Sequence, residues 1–205
     1  NLDIVLGNGS ILYGDGGSYR PADILDLDAS SINSDDFNLD GFEDLLVVQL
    51  DTALIYLSDA GAGFTRSASV FVGANVSPIS PTRSIADLDN DGNPDFASVV
   101  FLGDNPVQRS QMVVGFGDGL GGFRVVFDTV LNGYAVNAQI ADVDRDHYLD
   151  VISSCGSNPE QRVIVLFGDG LGGGDAFVAE EIAVAQPDGL AGAEEGESLQ
   201  RLAQS

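Results

Sequence analysis

The sequence predicts an all-β fold, a β-propeller built from four-stranded blades. Two observations carry that expectation. An acidic nine-residue loop recurs three times at roughly 50-residue spacing, and a Gly/Asp turn recurs in phase with it. Between them lie short apolar runs split by Gly and Asp clusters, with no helical stripe, which is the pattern of strands joined by tight turns. Four strands in a unit of roughly 40 to 50 residues is the arithmetic of one propeller blade.

The fullest unit shows each element in order. A short strand (SIAD, from Ser84) leads into the acidic loop, ADLDNDGNPDF from Ala86 to Phe96. A second strand (DFASVV) and a third (QMVVGF) follow, then the turn GDGLGG from Gly117, then a fourth strand (FRVVFDTV). Glycine supplies the positive φ that such hairpin turns need. The loop recurs as DFNLDGFEDLLVV from Asp36 and as DVDRDHYLDVISS from Asp142. The turn recurs as VLFGDGLGGGDAF from Val165, and more weakly as ILYGDGGSY from Ile11 and IYLSDAGAGF from Ile55. The opening residues NLDIVLG match the end of a further copy, with Asp3 at its ninth position. Residues 1–184 are therefore expected to form three full blades and a partial N-terminal one, and the acidic stretch 185–205 a flexible tail.

Packing four carboxylates into nine residues is costly unless a cation is shared among them. Calcium takes six to eight oxygens, and clustered carboxylates with a backbone carbonyl suit it. Each loop offers oxygens at positions 1, 3, 5 and 9 and a carbonyl at position 7. The candidate ligands are Asp36, Asn38, Asp40, Asp44 and the Phe42 carbonyl; Asp87, Asp89, Asp91, Asp95 and the Asn93 carbonyl; and Asp142, Asp144, Asp146, Asp150 and the Tyr148 carbonyl. About three calcium sites are expected. Magnesium keeps more of its water and resists such cages, and zinc would want His or Cys, neither of which recurs. An EF-hand is excluded: position 12 is Val47, Ser98 or Ser153, and the flanks are β-like. The loops differ. Asn38 removes one carboxylate from the first, and His147 replaces the glycine at position 6 of the third, where positive φ would cost a side-chain-bearing residue. The third loop is expected to bind most weakly.

Composition narrows the function classes. The formal net charge is -24, from 32 acidic and eight basic residues, and all eight are Arg. Such a surface repels phosphate, which makes nucleic acid and anionic membrane poor partners. No apolar run approaches the length of a membrane-spanning helix. The first residues show no basic segment and apolar stretch of a secretion signal. The one cysteine, Cys155, allows no intrachain disulfide and reads as a buried apolar residue near a strand end. GDGLGG formally matches GxGxxG, but a strand rather than a helix follows it, and its Asp would repel a pyrophosphate.

These loops and turns resemble the FG-GAP/VCBS repeat family, whose blades also build the propeller head of α-integrins. The D-x-D-x-D-G-x-x-D pattern is matched fully at Asp87 to Asp95, with Asn38 and His147 as the departures in the other copies. The resemblance implies a calcium-stabilised propeller, usually of seven blades, exposed outside the cell or on its surface. This chain would be a fragment of one, or an open assembly whose edges need a partner. The leading reading is a non-catalytic module for binding or adhesion to a glycan or extracellular protein. The alternative is a calcium-stabilised part of a secreted polysaccharide-degrading enzyme, although no nucleophile–base pair stands out.

Overall fold

Apolar runs such as Leu45–Val48 are too short for helices and too uniformly apolar for strands with one wet face, so they call for sheets covered on both sides. The computed structural model satisfies them in that way. It describes residues 3–6, 8–14, 18–24, 31–49, 51–60, 63–72, 77–78, 84–102, 109–157, 160–172 and 177–183, and these contain strands but no helix. The expected tail at 185–205 lies outside the described residues.

The strands form four antiparallel sheets, each wound as a meander in sequence order. The first holds β1 (Ile4–Val5), β2 (Ser10–Gly14) and β3 (Tyr19–Ile24). The second holds β4 (Ser31–Asp35), β5 (Asp44–Gln49), β6 (Thr52–Ser58) and β7 (Phe64–Phe71). In the third, β8 (Ser77–Pro78) and β9 (Ile85–Ala86) both pair with β10 (Asp95–Phe101), followed by β11 (Arg109–Gly117) and β12 (Phe123–Asn132). The fourth holds β13 (Tyr134–Ala141), β14 (Asp150–Ser157), β15 (Glu160–Gly168) and β16 (Phe177–Ala183). Among the described residues no sheet closes on itself. One repeat of the sequence is thus one sheet, with the acidic loop between its first and second strands and the glycine turn between its third and fourth. The strand Phe123–Asn132 after GDGLGG disposes of a dinucleotide site there.

Successive sheets pack face to face. Leu45, Val47, Leu54 and Tyr56 meet Ile11 and Tyr13 of the first sheet, whereas Leu46, Val48, Ala53 and Ile55 meet Phe96 and Val113 of the third. The alternation of side chains along a strand sends neighbouring residues to opposite seams. The third seam joins Ala97, Val99, Met112, Val114 and Phe116 to Val151, Ile164, Leu166 and the buried Cys155 of the fourth sheet. Full burial of each such aliphatic side chain is worth about 1.5–3 kcal/mol, so the seams hold the row together. Phe123 sits edge-on to both Phe37 (5.5 Å) and Phe96 (5.0 Å), filling the second seam. Buried Ser110 links the third and fourth sheets by accepting the Ala135 N–H at 2.8 Å and donating to the Gly133 carbonyl at 3.0 Å. The pairing of β6 with β7 slips at Ile55/Tyr56, and that of β11 with β12 slips at Val114/Gly115. These positions correspond in the two sheets, so they share a bulge, whereas β15 and β16 pair without a slip.

Candidate metal centres

Each acidic loop is a chain of turns in which a carboxylate accepts the backbone N–H that follows it. The first-position Asp reaches furthest. Asp87 accepts the Asp91 N–H (3.1 Å) and the Gly92 N–H (3.0 Å), and Asp36 accepts those of Asp40 (3.0 Å) and Gly41 (2.8 Å). Position 3 accepts the N–H of position 5 in every copy, through Asn38, Asp89 and Asp144. Position 5 accepts the N–H of position 7, from Asp40 to Phe42, Asp91 to Asn93 and Asp146 to Tyr148. Ser, Asn and Asp side chains favour such local bonds, which is why this spacing folds into a loop rather than a strand.

The ninth-position Asp has a different task. Asp44, Asp95 and Asp150 are fully buried at the start of the second strand. One oxygen accepts the N–H of position 2 of the loop: Phe37 (3.0 Å), Leu88 (2.7 Å) or Val143 (2.8 Å). The other accepts an N–H at the end of the third strand: Ser58 (2.7 Å), Gly117 (2.8 Å) or Gly168 (3.1 Å). Asp3 accepts the Gly14 N–H at the end of its sheet's second strand (2.8 Å), the bond that the ninth-position Asp makes to the third strand in the other units. The two motifs that recur in phase are therefore in contact. At Gly117 and Gly168 a Cβ would collide with the Pro94 or Leu149 carbonyl, so glycine brings the turn close against the loop in these two units, whereas the first unit carries Ser58 there.

Burial without a cation has an electrostatic consequence. Loss of hydration pushes the Asp95 carboxyl up from 3.8 to about 7; the charges of Asp89 and Asp91 add to this, against the two backbone hydrogen bonds. Asp44, Asp89 and Asp150 are raised in the same way, burial first.

Two groups of carboxylates converge. Asp87, Asp89 and Asp95 each place an oxygen within 4.8 Å of the others, as do Asp142, Asp144 and Asp146. Asp91 stands apart because its second oxygen takes the Asn93 side-chain amide at 2.8 Å. Asp150 serves the backbone. In the first loop the Asn38 amide donates to Asp40 (2.9 Å), and among the described residues no three acids converge there. An all-oxygen, anionic, partly buried donor set fits a hard cation such as calcium.

Backbone conformation separates the loops further. Position 6 has positive φ in all three: 90° at Gly41 and Gly92, and 79° at His147. The His147 N–H bond to Asp142 is correspondingly long, at 3.2 Å. Position 4 has positive φ as well, at Leu39 (58°), Asn90 (60°) and Arg145 (67°), which the sequence pattern did not disclose. Nor did it single out position 2. Phe37 and Leu88 are 2% exposed and plug the seams toward the following sheets, whereas Val143, with no following sheet described, is 44% exposed. An apolar residue between two acids in every copy was the available signal.

Residues 36–98 match the profile of the FG-GAP-like repeat. The chain carries an FG-GAP-like repeat. The matched span begins at the first ligand position of one loop and ends just past the buried Asp95 of the next, so it covers one period of the FG-GAP unit. No curated protein and no solved structure matches the chain. Among the described residues no helix is long and apolar enough to cross a membrane.

Proposed function

We propose that this chain is a calcium-stabilised propeller module of the FG-GAP type that acts outside the cell, without catalysis, in binding or adhesion to a glycan or protein. The observation that carries the reading is the convergence of Asp87, Asp89 and Asp95 on one point, with Asp95 fully buried and held there by two backbone N–H groups. A fold that builds such a point in register with its repeat gains from a cation and loses without one. Bound calcium would supply positive charge and oxygen coordination, turning repulsion among the carboxylates into attraction to a common centre. In the second loop Asp87, Asp89 and Asp95 would hold it, with Asp91 and the Asn93 carbonyl completing the shell. In the third, Asp142, Asp144 and Asp146 would do so, joined by Asp150 and the Tyr148 carbonyl. The first loop, Asp36, Asn38, Asp40, Asp44 and the Phe42 carbonyl, offers one charge fewer.

An extracellular setting fits this chemistry, because millimolar calcium fills even weak sites. Row-wise stacking of like sheets fits a propeller, in which each sheet covers the face of the one before it. A non-catalytic role fits the use of the acids: those that a hydrolase would need for acid–base work are bound into loops and turns. The ligand is to be sought on immobilised glycans and extracellular matrix proteins, once in calcium and once in chelator. Calcium-dependent retention on one class of surface supports the reading. Equal retention in chelator, or hydrolysis of a polysaccharide by the purified chain, contradicts it.

A further inference from the structure

Resting on the calcium reading, we infer that the Asp87–Asp95 site is shared between two repeats: the glycine turn of the fourth sheet shapes it, and filling the site fixes that turn in place. The turn comes from the next repeat, yet it reaches the loop directly. A Cβ on Gly172 would collide with the Asp89 carboxylate, and one on Gly170 would meet both the Tyr148 ring of its own unit and, at 2.6 Å, the Asn90 amide. The space that lets Asp89 join Asp87 and Asp95 is thus left open by a glycine of a different sheet. Arg124 of the third sheet secures the arrangement, donating to the Gly172 carbonyl at 3.0 Å. From the other side of the loop, Leu88 is buried in the seam with Val151, Ile164 and Leu166 of the fourth sheet.

The same junction occurs one repeat earlier. The Gly121 N–H of the third sheet donates to the Phe37 carbonyl of the first loop at 3.1 Å, and Phe37 packs on Phe123. The third loop contrasts with both. Val143 is exposed where Phe37 and Leu88 are buried, and Asp144 is exposed where Asp89 is half-buried. Gly172 and Arg124 are positioning residues for a cation they do not touch, and among the described residues no turn of a following repeat meets the Asp142–Asp150 loop.

The test uses the full chain carrying Asp142→Asn and Asp144→Asn, which silences the loop of the fourth sheet itself. Hydrogen exchange is followed by mass spectrometry in chelator and in saturating calcium. The expected result is that calcium slows exchange at 84–98 and also at the turn 168–172. Two further variants in the otherwise native chain, Gly172→Ala and Arg124→Gln, are titrated with calcium. Loss of a supporting group outside the ligand shell weakens metal binding by about tenfold or more, so each is expected to weaken the Asp87–Asp95 site by that factor and to affect the Asp142–Asp150 site less. Arg124→Gln removes the hydrogen bond without straining the turn, so the test survives if Gly172→Ala folds poorly. Calcium protection confined to 84–98, with unaltered affinity in the Arg124 variant, overturns the inference and leaves the calcium reading standing. No protection anywhere removes both.

Discussion

Stripped of calcium, the protein should lose stability as the pH rises from about 4 to about 7, the reverse of what a fold held by salt bridges does. The reason lies at Asp95. In the unfolded chain its carboxyl titrates near 3.8; in the fold, burial and the neighbouring Asp89 and Asp91 move it to about 7. Below 3.8 both states hold the proton and the full stability is present. Between those values the folded state retains a proton that the unfolded state has released, so each rise in pH taxes the fold alone. A separation of about three units at 1.36 kcal/mol each amounts to on the order of 4 kcal/mol, lost with a slope approaching 1.4 kcal/mol per pH unit. Asp44, Asp89 and Asp150 are raised too and act in the same direction. Urea unfolding in chelator, followed by circular dichroism across that range, reads the effect directly. Repulsion among exposed carboxylates has the same sign, so the series belongs in about 0.5 M salt, where the Debye length is only a few Å. Asp95→Asn should flatten the slope while costing about 1–3 kcal/mol at the acidic end, because its amide N–H₂ faces a backbone donor. Stability in chelator that is constant or rising over this interval, or an unchanged slope in Asp95→Asn, would refute the reasoning.

Other consequences are simpler to read. His147→Gly relieves a side chain held at φ 79°; the relief of about 1–2 kcal/mol exceeds the added freedom of the unfolded chain, leaving a gain of roughly 0.5–1 kcal/mol in a chelated melt and tighter calcium binding at the third loop. A lower melting temperature would contradict it. Phe96→Ala empties the centre of the second seam, where Phe96 is 1% exposed and edge-on to Phe123, and should cost about 3–5 kcal/mol in urea unfolding. Gly117→Ala drives a Cβ into the Pro94 carbonyl; a backbone that must shift to admit it should cost about 1–3 kcal/mol, and a neutral result would mean that this loop yields to a Cβ as the first unit does at Ser58.

Much of the architecture was legible in the sequence because the repeat states it several times. Strand identity followed from short apolar runs between Gly/Asp clusters, and the run at Leu45–Val48 already implied cover on both faces. The charge of the loops and the odd glycine position at His147 could be read from three aligned copies, and His147 does take positive φ. What stayed hidden depended on distance in space. Nothing in the spacing shows that Asp95 bonds Gly117 at 2.8 Å, joining two motifs of the unit. Position 4 was hidden for another reason: Leu39, Asn90 and Arg145 all adopt positive φ, and only Asn is a residue type that advertises it. The difference among loops follows from neighbours as well. Whether position 2 is buried, as at Leu88, or exposed, as at Val143, depends on what the next repeat brings, which no single loop encodes.

The central claim is that these loops are calcium sites, and calorimetry on chelator-treated protein tests it most directly, paired with a thermal melt before and after. The account predicts binding heat at the Asp87–Asp95 and Asp142–Asp150 loops, the latter weaker, with the first loop adding at most one further site. At a calcium concentration a hundred times the dissociation constant one site adds about 2.7 kcal/mol, which raises the melting temperature of a chain this size by roughly 5–10 °C. No heat and an unmoved melt would mean that the aspartates only shape turns, and the calcium-dependent module proposed from them would have to be abandoned.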